Sequence, residues 1–280
     1  MEKYIDLHVH TTASDGSFSP AQIVQYAVER KLAAIAITDH DTVAGVKEAV
    51  EQGKKQNIEV VPGVEISVSF ESEMHILGYF IDINCLPLIQ TLERLKVYRD
   101  QRNPLILKKL NQAGIPITMQ EVEQKAGGKI VGRPHIAAVL VDKGYVKSTS
   151  EAFEKFLGQS RIAYVEKKKV TPQEGIELIK KAGGLAVLAH PIYLVRNGYN
   201  LEEVLKELMS YGLDGVEAHY SEHSEAETTQ FIELAEKYNL LITGGSDFHG
   251  KSKPEIELGR GYGSLMVPYD LLTKMRARIG

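Results

Sequence analysis

The chain has 280 residues, of which 43% are hydrophobic and 25% charged, and its formal net charge at pH 7 is −4. This is the composition of a globular protein able to bury one barrel-sized domain, or one domain with an insertion, and it excludes a basic coat for nucleic acid. The single cysteine, Cys85, excludes an intramolecular disulfide and a thiolate metal cluster.

The first strand is expected within about four residues of the start, with no charged leader before it, and no apolar run approaches the ~18 residues of a membrane span. A cytoplasmic protein with no membrane association is therefore expected. In that strand, residues 4–10 (YIDLHVH), successive side chains point to opposite faces. Ile5, Leu7 and Val9 share one face, while Asp6, His8 and His10 share the other. Imidazoles two positions apart on a strand can converge on one metal ion, and a nearby carboxylate can orient one of them. Taken alone, the pattern more often describes an ordinary strand with a polar, solvent-facing side.

Ser19 as N-cap and Pro20 in the first turn open a helix. A short buried strand follows at 32–41, a helix at 43–56, a strand at 58–70 and a hairpin-like fourth strand at 73–80 (EMHILGYF). This alternation points to parallel β/α construction. Residues 87–160 show helical patterns and no convincing strand, with Pro104, Gly114, Gly127 and Gly128 as helix breakers. The rhythm then resumes with helices at 171–184, 201–212 and 225–239 between strands at 185–191, 214–220 and 240–249. The expected organisation is a seven-stranded barrel domain formed by 1–86 and 165–280, with 87–164 as a helical insertion acting as a lid.

Chemistry in parallel β/α proteins collects at the carboxyl ends of strands. There this chain places His8 and His10, Asp39 and His40, Glu65, His75, His190, His219, and Asp247 with His249. The segments DLHVHTTASDGS, AIAITDHDTVAG, VVPGVEIS, MHILGYF, LAVLAHP and GGSDFHG, in that order, resemble the PHP family, named for polymerase and histidinol phosphatase. The insertion is similar to that of the nucleoside 3′,5′-bisphosphate phosphatase and 5′–3′ exoribonuclease branch. The resemblance implies an irregular seven-stranded β/α barrel holding two or three divalent metals.

Carried over by position, the resemblance implies that His8, His10, Glu65 and Asp247 hold a first metal. Glu65 would bridge to a second, completed by His75 and His190, and Asp15, His40 and His249 would hold a third. Nitrogen and oxygen donors without thiolate suit manganese, zinc or iron. Asp6, Asp39 and Asp41 read as groups that orient or cap. Bridged cations lower the pKa of a shared water and neutralise a phosphoryl oxygen, which suits in-line attack on a phosphate ester. His219 is a candidate acid, or else a packing or orienting group, and His223 reads as an exposed loop residue.

Arg99 and Arg102 are three apart and can share a helix face until Pro104 disfavours its continuation. Arginine forks match phosphate geometry. Asn103 adjoins them, and Arg133 and His135 follow a glycine-rich turn that would let backbone approach a ligand. Lys167, Lys168 and Lys169 read as a solvated charge run. In the resembled branch this region reads a 5′-phosphate while the metals cut at the 3′ oxygen. The expected substrate is a nucleoside 3′,5′-bisphosphate or a short 5′-phosphorylated single-stranded RNA. Three alternatives stay open. They are a histidinol-phosphate or other small phosphomonoester phosphatase, an amidohydrolase, which usually adds a modified lysine that no strand end here supplies, and a non-catalytic metal-binding module.

Overall fold

Short runs rich in Ile, Val, Leu and Ala become the wall of a barrel in a computed structural model that describes residues 3–126 and 131–279. They are β1 (Tyr4–Val9), β2 (Ala34–Ile37), β3 (Glu59–Ser67), β4 (His75–Tyr79), β5 (Leu185–Leu188), β6 (Gly215–Tyr220) and β7 (Leu241–Gly245). A strand covered on both faces has no need to alternate, and β2, β4 and β5 are buried at every position. An eighth strand not expected from the sequence, β8 (Val267–Pro268), pairs antiparallel with β1. The eight-stranded sheet runs β7-β6-β5-β4-β3-β2-β1-β8. β4 is antiparallel to both neighbours, and the other pairs from β1 to β3 and from β5 to β7 are parallel.

The sheet nearly closes on itself at the carboxyl end of β1. The Asp247 amide donates to His8 O at 2.9 Å and the His10 amide to Phe248 O at 3.0 Å. Gly245 makes this approach possible: a Cβ there would lie 2.4 Å from both the amide nitrogen and the Cβ of His8. Segments 8–10 and 245–249 are thus held against each other by main chain.

Helices α1 (Pro20–Glu29) and α2 (Val46–Gln56) cover β1 to β3. Between β4 and β5 the chain runs through α3 (Leu86–Gln112), α4 (Met119–Ala126), α5 (Arg133–Asp142), α6 (Thr149–Ala152), a π-helical turn (Phe153–Leu157) and α7 (Pro172–Lys181). The remaining helices are α8 (Ile192–Arg196), α9 (Leu201–Ser210), α10 (Glu225–Lys237) and α11 (Tyr269–Ile279). Capping boxes start α1 at Ser19 with Gln22, α7 at Thr171 with Glu174, and α10 at Ser224 with Glu227. No described helix is long and apolar enough to cross a membrane.

The inserted helices have their own core, built from Ile106, Leu110, Ile117, Val122, Leu140 and Leu157 among others. Contrary to the expected break, α3 continues through Pro104. A proline removes one bond to the carbonyl four residues earlier, here that of exposed Asp100, which water can satisfy. Packing favours continuity at both ends, because Leu88, Leu92 and Leu95 belong to the barrel core while Ile106, Leu107 and Leu110 belong to the core of the inserted helices. The expected glycine-rich turn at Gly127 and Gly128 lies outside the described residues.

Gly245→Ala should force β7 away from β1. Overpacking costs about 1–3 kcal/mol, so the variant should melt roughly 2–12 °C lower by circular dichroism. An unchanged melting temperature would contradict the close approach.

Candidate metal centre and the inserted helices

Glu65 emerges from β3 into the barrel mouth with no exposed surface, and the imidazoles around it divide between its two oxygens. On the Oε1 side stand His75 Nδ1 at 2.8 Å and His190 Nε2 at 3.0 Å, themselves 3.2 Å apart. On the Oε2 side stand His40 Nδ1 at 2.9 Å, His10 Nε2 at 3.2 Å and His8 Nε2 at 3.3 Å. Asp247 Oδ1 completes that side, 3.1 Å from His10 Nε2 and 3.5 Å from His8 Nε2. Further out, Asp15 Oδ1 lies 3.3 Å from His249 Nε2 and 3.8 Å from His10 Nδ1.

Three overlapping groups could each hold a metal ion: His8, His10, Glu65 and Asp247; His40, Glu65 and His75; and His10, Asp15, His40 and His249. His10 and His40 each belong to two of them, which the sequence did not suggest. A test of fit comes from hydrogen bonding. His8 Nε2, both ring nitrogens of His10, His40 Nδ1, Asp15 Oδ1 and Glu65 Oε2 are buried without a hydrogen-bond partner. Buried polar atoms are rarely left unpaired. Lone pairs converging from neutral imidazoles and carboxylates are the donor set a divalent cation takes. Burial alone would raise Glu65, yet the imidazoles of His40, His75 and His8 hold it well below the usual carboxylate range. Asp247, burial notwithstanding, is held low by Lys253, His249 and His8.

The outer groups fix this arrangement. Asp6 accepts from the amides of His8, Ser246 and Gly259, tying β1 to the loops beyond β7. Asp39 accepts from the Thr11 amide and hydroxyl and from Ser14 Oγ, shaping the loop that carries Asp15. His249 donates Nδ1–H to Asp247 O at 2.8 Å, which leaves Nε2 facing Asp15. Three residues at these strand ends hold positive φ without being glycine: Asp41 (52°), His190 (27°) and Asp247 (58°). Such backbone strain persists where the surroundings over-determine it.

His219 has no hydrogen-bond, ion-pair or ring partner among the described residues, and burial alone pushes its imidazole down. An irregularity in the β6–β7 ladder between Glu217 and His219 shifts the side-chain alternation. Glu217 and Tyr220 face the centre instead. Glu217 Oε1 accepts from His8 Nδ1 at 2.9 Å, and Tyr220 donates to Asp247 Oδ2 at 3.0 Å. Lys253 donates to the same oxygen at 2.6 Å. Sequence reading passed over all three: Tyr220 has the opposite strand parity to His219, and Lys253 lies beyond the last strand end. His223, expected to be exposed, is half-buried and donates Nδ1–H to Ala218 O at 2.8 Å.

The buried face of α3 presents Arg99, Arg102 and Asn103. Arg99 donates to Asp41 Oδ2 at 3.0 Å, and Lys167 reaches the same oxygen at 2.6 Å and Ser67 Oγ at 2.7 Å. Lys167 is therefore no solvated charge. Burial pushes its amine down to about 8 despite Asp41. Asp41 thus ties α3 and the segment leading into α7 to the loop bearing His40. Arg102 differs, being 6% exposed with Nε and Nη1 lacking any partner. Burial, then repulsion from Arg133 and Arg99, pushes it down to about 10. Asn103 Nδ2 donates to Val131 O at 2.7 Å, and its Oδ1 is unpartnered. Arg133 donates to Leu157 O at 3.2 Å and lies 5.3 Å over the Phe153 ring. His135 Nδ1 accepts from the Gly132 amide at 3.0 Å, and burial pushes it down.

A model of the PHP domain family matches residues 6–251. The chain is 37% identical to the 5′-3′ exoribonuclease Rnm of Escherichia coli (strain K12), over 91% of this chain and 88% of that protein. It is 33% identical to the phosphoribosyl 1,2-cyclic phosphate 1,2-diphosphodiesterase of Eggerthella lenta, over 88% and 94%. It is 30% identical to the 3′,5′-nucleoside bisphosphate phosphatase of Chromobacterium violaceum, over 91% and 90%. Among solved structures, a putative metal-dependent phosphoesterase from Bifidobacterium adolescentis superposes with a TM-score of 0.90 at 30% identity, over 99% of this chain and 96% of that one.

Asp41→Asn would leave Arg99 and Lys167 facing a neutral amide. Breaking a buried pair costs about 3 kcal/mol or more, so the variant should lose about that much in urea unfolding. A loss below about 0.5 kcal/mol would show the pairs to be dispensable.

Proposed function

The chain belongs to the PHP domain family, and from that premise we propose that this phosphate-ester hydrolase cuts the 3′-phosphate ester of 5′-phosphorylated nucleotides. It would convert a nucleoside 3′,5′-bisphosphate to the 5′-monophosphate, and would release a 5′-mononucleotide from short 5′-phosphorylated RNA by the same reaction. The observation that carries this reading is the buried guanidinium of Arg102 on α3, whose Nε and Nη1 have no hydrogen-bond partner, on the helix that Arg99 ties to the loop bearing His40. A buried cation with two free donors is a costly feature unless an anion arrives to meet it. The imidazole–carboxylate cluster would take a second anionic group, so the arrangement suits a substrate phosphorylated at two points.

His8, His10, Glu65 and Asp247 would hold one ion, Glu65, His75 and His190 a second, and Asp15, His40, His249 and His10 a third. The donor set suits manganese, zinc or iron. When bound, such ions lower the pKa of water and neutralise charge on a phosphoryl oxygen. The chain's own part is to place the ester. Arg102 and Arg133 grip the 5′-phosphate, since planar guanidinium donors match its oxygens in pairs. Arg99, committed to Asp41, fixes α3 rather than reading the substrate. His135, held by the Gly132 amide, lines the approach beside Arg133. Asp247 keeps Oδ1 toward the imidazoles because Tyr220 and Lys253 occupy Oδ2.

The likeness to the Eggerthella lenta diphosphodiesterase favours a second substrate for the same machinery, a phosphoribosyl cyclic phosphate. Manganese-supplemented protein should convert adenosine 3′,5′-bisphosphate to adenosine 5′-monophosphate and phosphate, as resolved by chromatography. Glu65→Gln should abolish that turnover, because a neutral amide cannot bridge cations. Adenosine 3′-monophosphate as product, or preference for the cyclic phosphate, would overturn the bisphosphate reading. Charge-assisted hydrogen bonds are worth about 1.5–3 kcal/mol, so Arg102→Ala should raise KM for the bisphosphate roughly 10–100-fold. A substrate lacking the 5′-phosphate should be little affected by Arg102→Ala, and an equal loss on both would remove Arg102 from phosphate recognition.

A further inference from the structure

Glu217 is fully buried on β6 and belongs to none of the three groups that could hold an ion. Its side chain nevertheless makes two hydrogen bonds, both to members of the centre. Oε1 accepts from His8 Nδ1 at 2.9 Å, and Oε2 accepts from the backbone amide of His190 at 2.7 Å. His8 stands on the Oε2 side of Glu65 and His190 on the Oε1 side. The His190 amide belongs to a residue at φ +27°, a conformation that side-chain-bearing residues seldom adopt. A buried carboxylate is costly unless its oxygens are met, and these contacts meet both.

We infer that Glu217 is a positioning residue that couples two halves of the metal centre. Through Oε1 it keeps the His8 proton on Nδ1, so that the Nε2 lone pair points toward Glu65 Oε2 and Asp247 Oδ1. Through Oε2 it holds the strained turn that swings the His190 ring onto Glu65 and His75. No oxygen of Glu217 is left over for an ion, so its effect is transmitted through the two histidines. The inference rests on the reading of His8 and His190 as metal ligands.

Glu217→Gln separates this role from simple packing. The amide oxygen can still accept from the His190 N–H, but the amide nitrogen then meets His8 Nδ1 with a donor. His8 must accept at Nδ1 and carry its proton on Nε2, where an ion should sit. Partners that orient metal-binding histidines are worth about 10–100-fold in affinity. Metal-stripped variant should therefore bind manganese about 10–100-fold more weakly at one site in equilibrium dialysis, while its metal-free melting temperature stays within a few degrees of wild type. Wild-type stoichiometry with dissociation constants within twofold would overturn the inference.

Wild-type protein that takes up no divalent ion in the same dialysis would instead overturn the ligand reading beneath it. Should the variant not fold, nitrogen-15 histidine spectra of zinc-loaded wild-type protein decide the matter. A His8 ring protonated at Nδ1 and metal-shifted at Nε2 supports the inference, and a proton on His8 Nε2 overturns it.

Discussion

A carboxylate without exposed surface stands at the mouth of this barrel, and its charge must be balanced where water cannot do it. Around Glu65 stand five imidazoles, drawn from β1 and the residue after it, the loop after β2, β4 and the turn after β5, and their lone pairs with its two oxygens make a donor set whose charge a divalent cation would balance. Each arrives from a different point on the wall, so the wall has to close with the correct register. Gly245 against His8, the Asp247 amide on His8 O and Asp6 across Ser246 and Gly259 belong to that requirement. Barrel closure and the electrostatics of one buried side chain are in this sense a single constraint. Because the imidazoles split between the two oxygens, Glu65 has the geometry of a bridge rather than of a one-sided ligand.

The inserted helices meet the barrel through a second buried carboxylate with the opposite surroundings. Asp41 is satisfied by two cations, Arg99 from the outgoing helix and Lys167 from the returning chain. The outgoing helix and the returning chain are thereby anchored beside His40. Arg102, one turn along from Arg99, has no such carboxylate. Two arginines alike in sequence therefore divide into one that holds α3 to Asp41 and one whose Nε and Nη1 are free. The contrast is electrostatic, since a buried guanidinium next to a fixed carboxylate has already spent its donors, while one next to Arg133 has not.

Much of the fold was legible because β/α construction leaves a strong local signature. Strand parity placed His8 and His10 on one face, and the seven apolar runs at regular spacing became β1 to β7. Local rules failed where packing overruled them. Pro104 lies inside α3 because the bond it removes belongs to exposed Asp100 and both halves of the helix are clamped by separate cores. β8 is two residues long and exists only because β1 offers it an edge. His219 turned out of the centre and Tyr220 into it through one irregularity in a ladder, a defect that depends on the neighbouring strand.

By itself the sequence determined the class of chemistry. Residue type and order along the chain place imidazoles and carboxylates at successive strand ends, and donor identity is a property of the residues themselves. Only the tertiary structure decided how those donors are shared. It gave His10 and His40 to two groups each, set Glu217 behind His8 and His190, and paired Asp41 with Lys167 across 126 positions of chain. The physical reason is distance. A hydrogen bond or a shared ion is settled by atoms about 3 Å apart, and separation along the chain carries no record of which strands will bring them there.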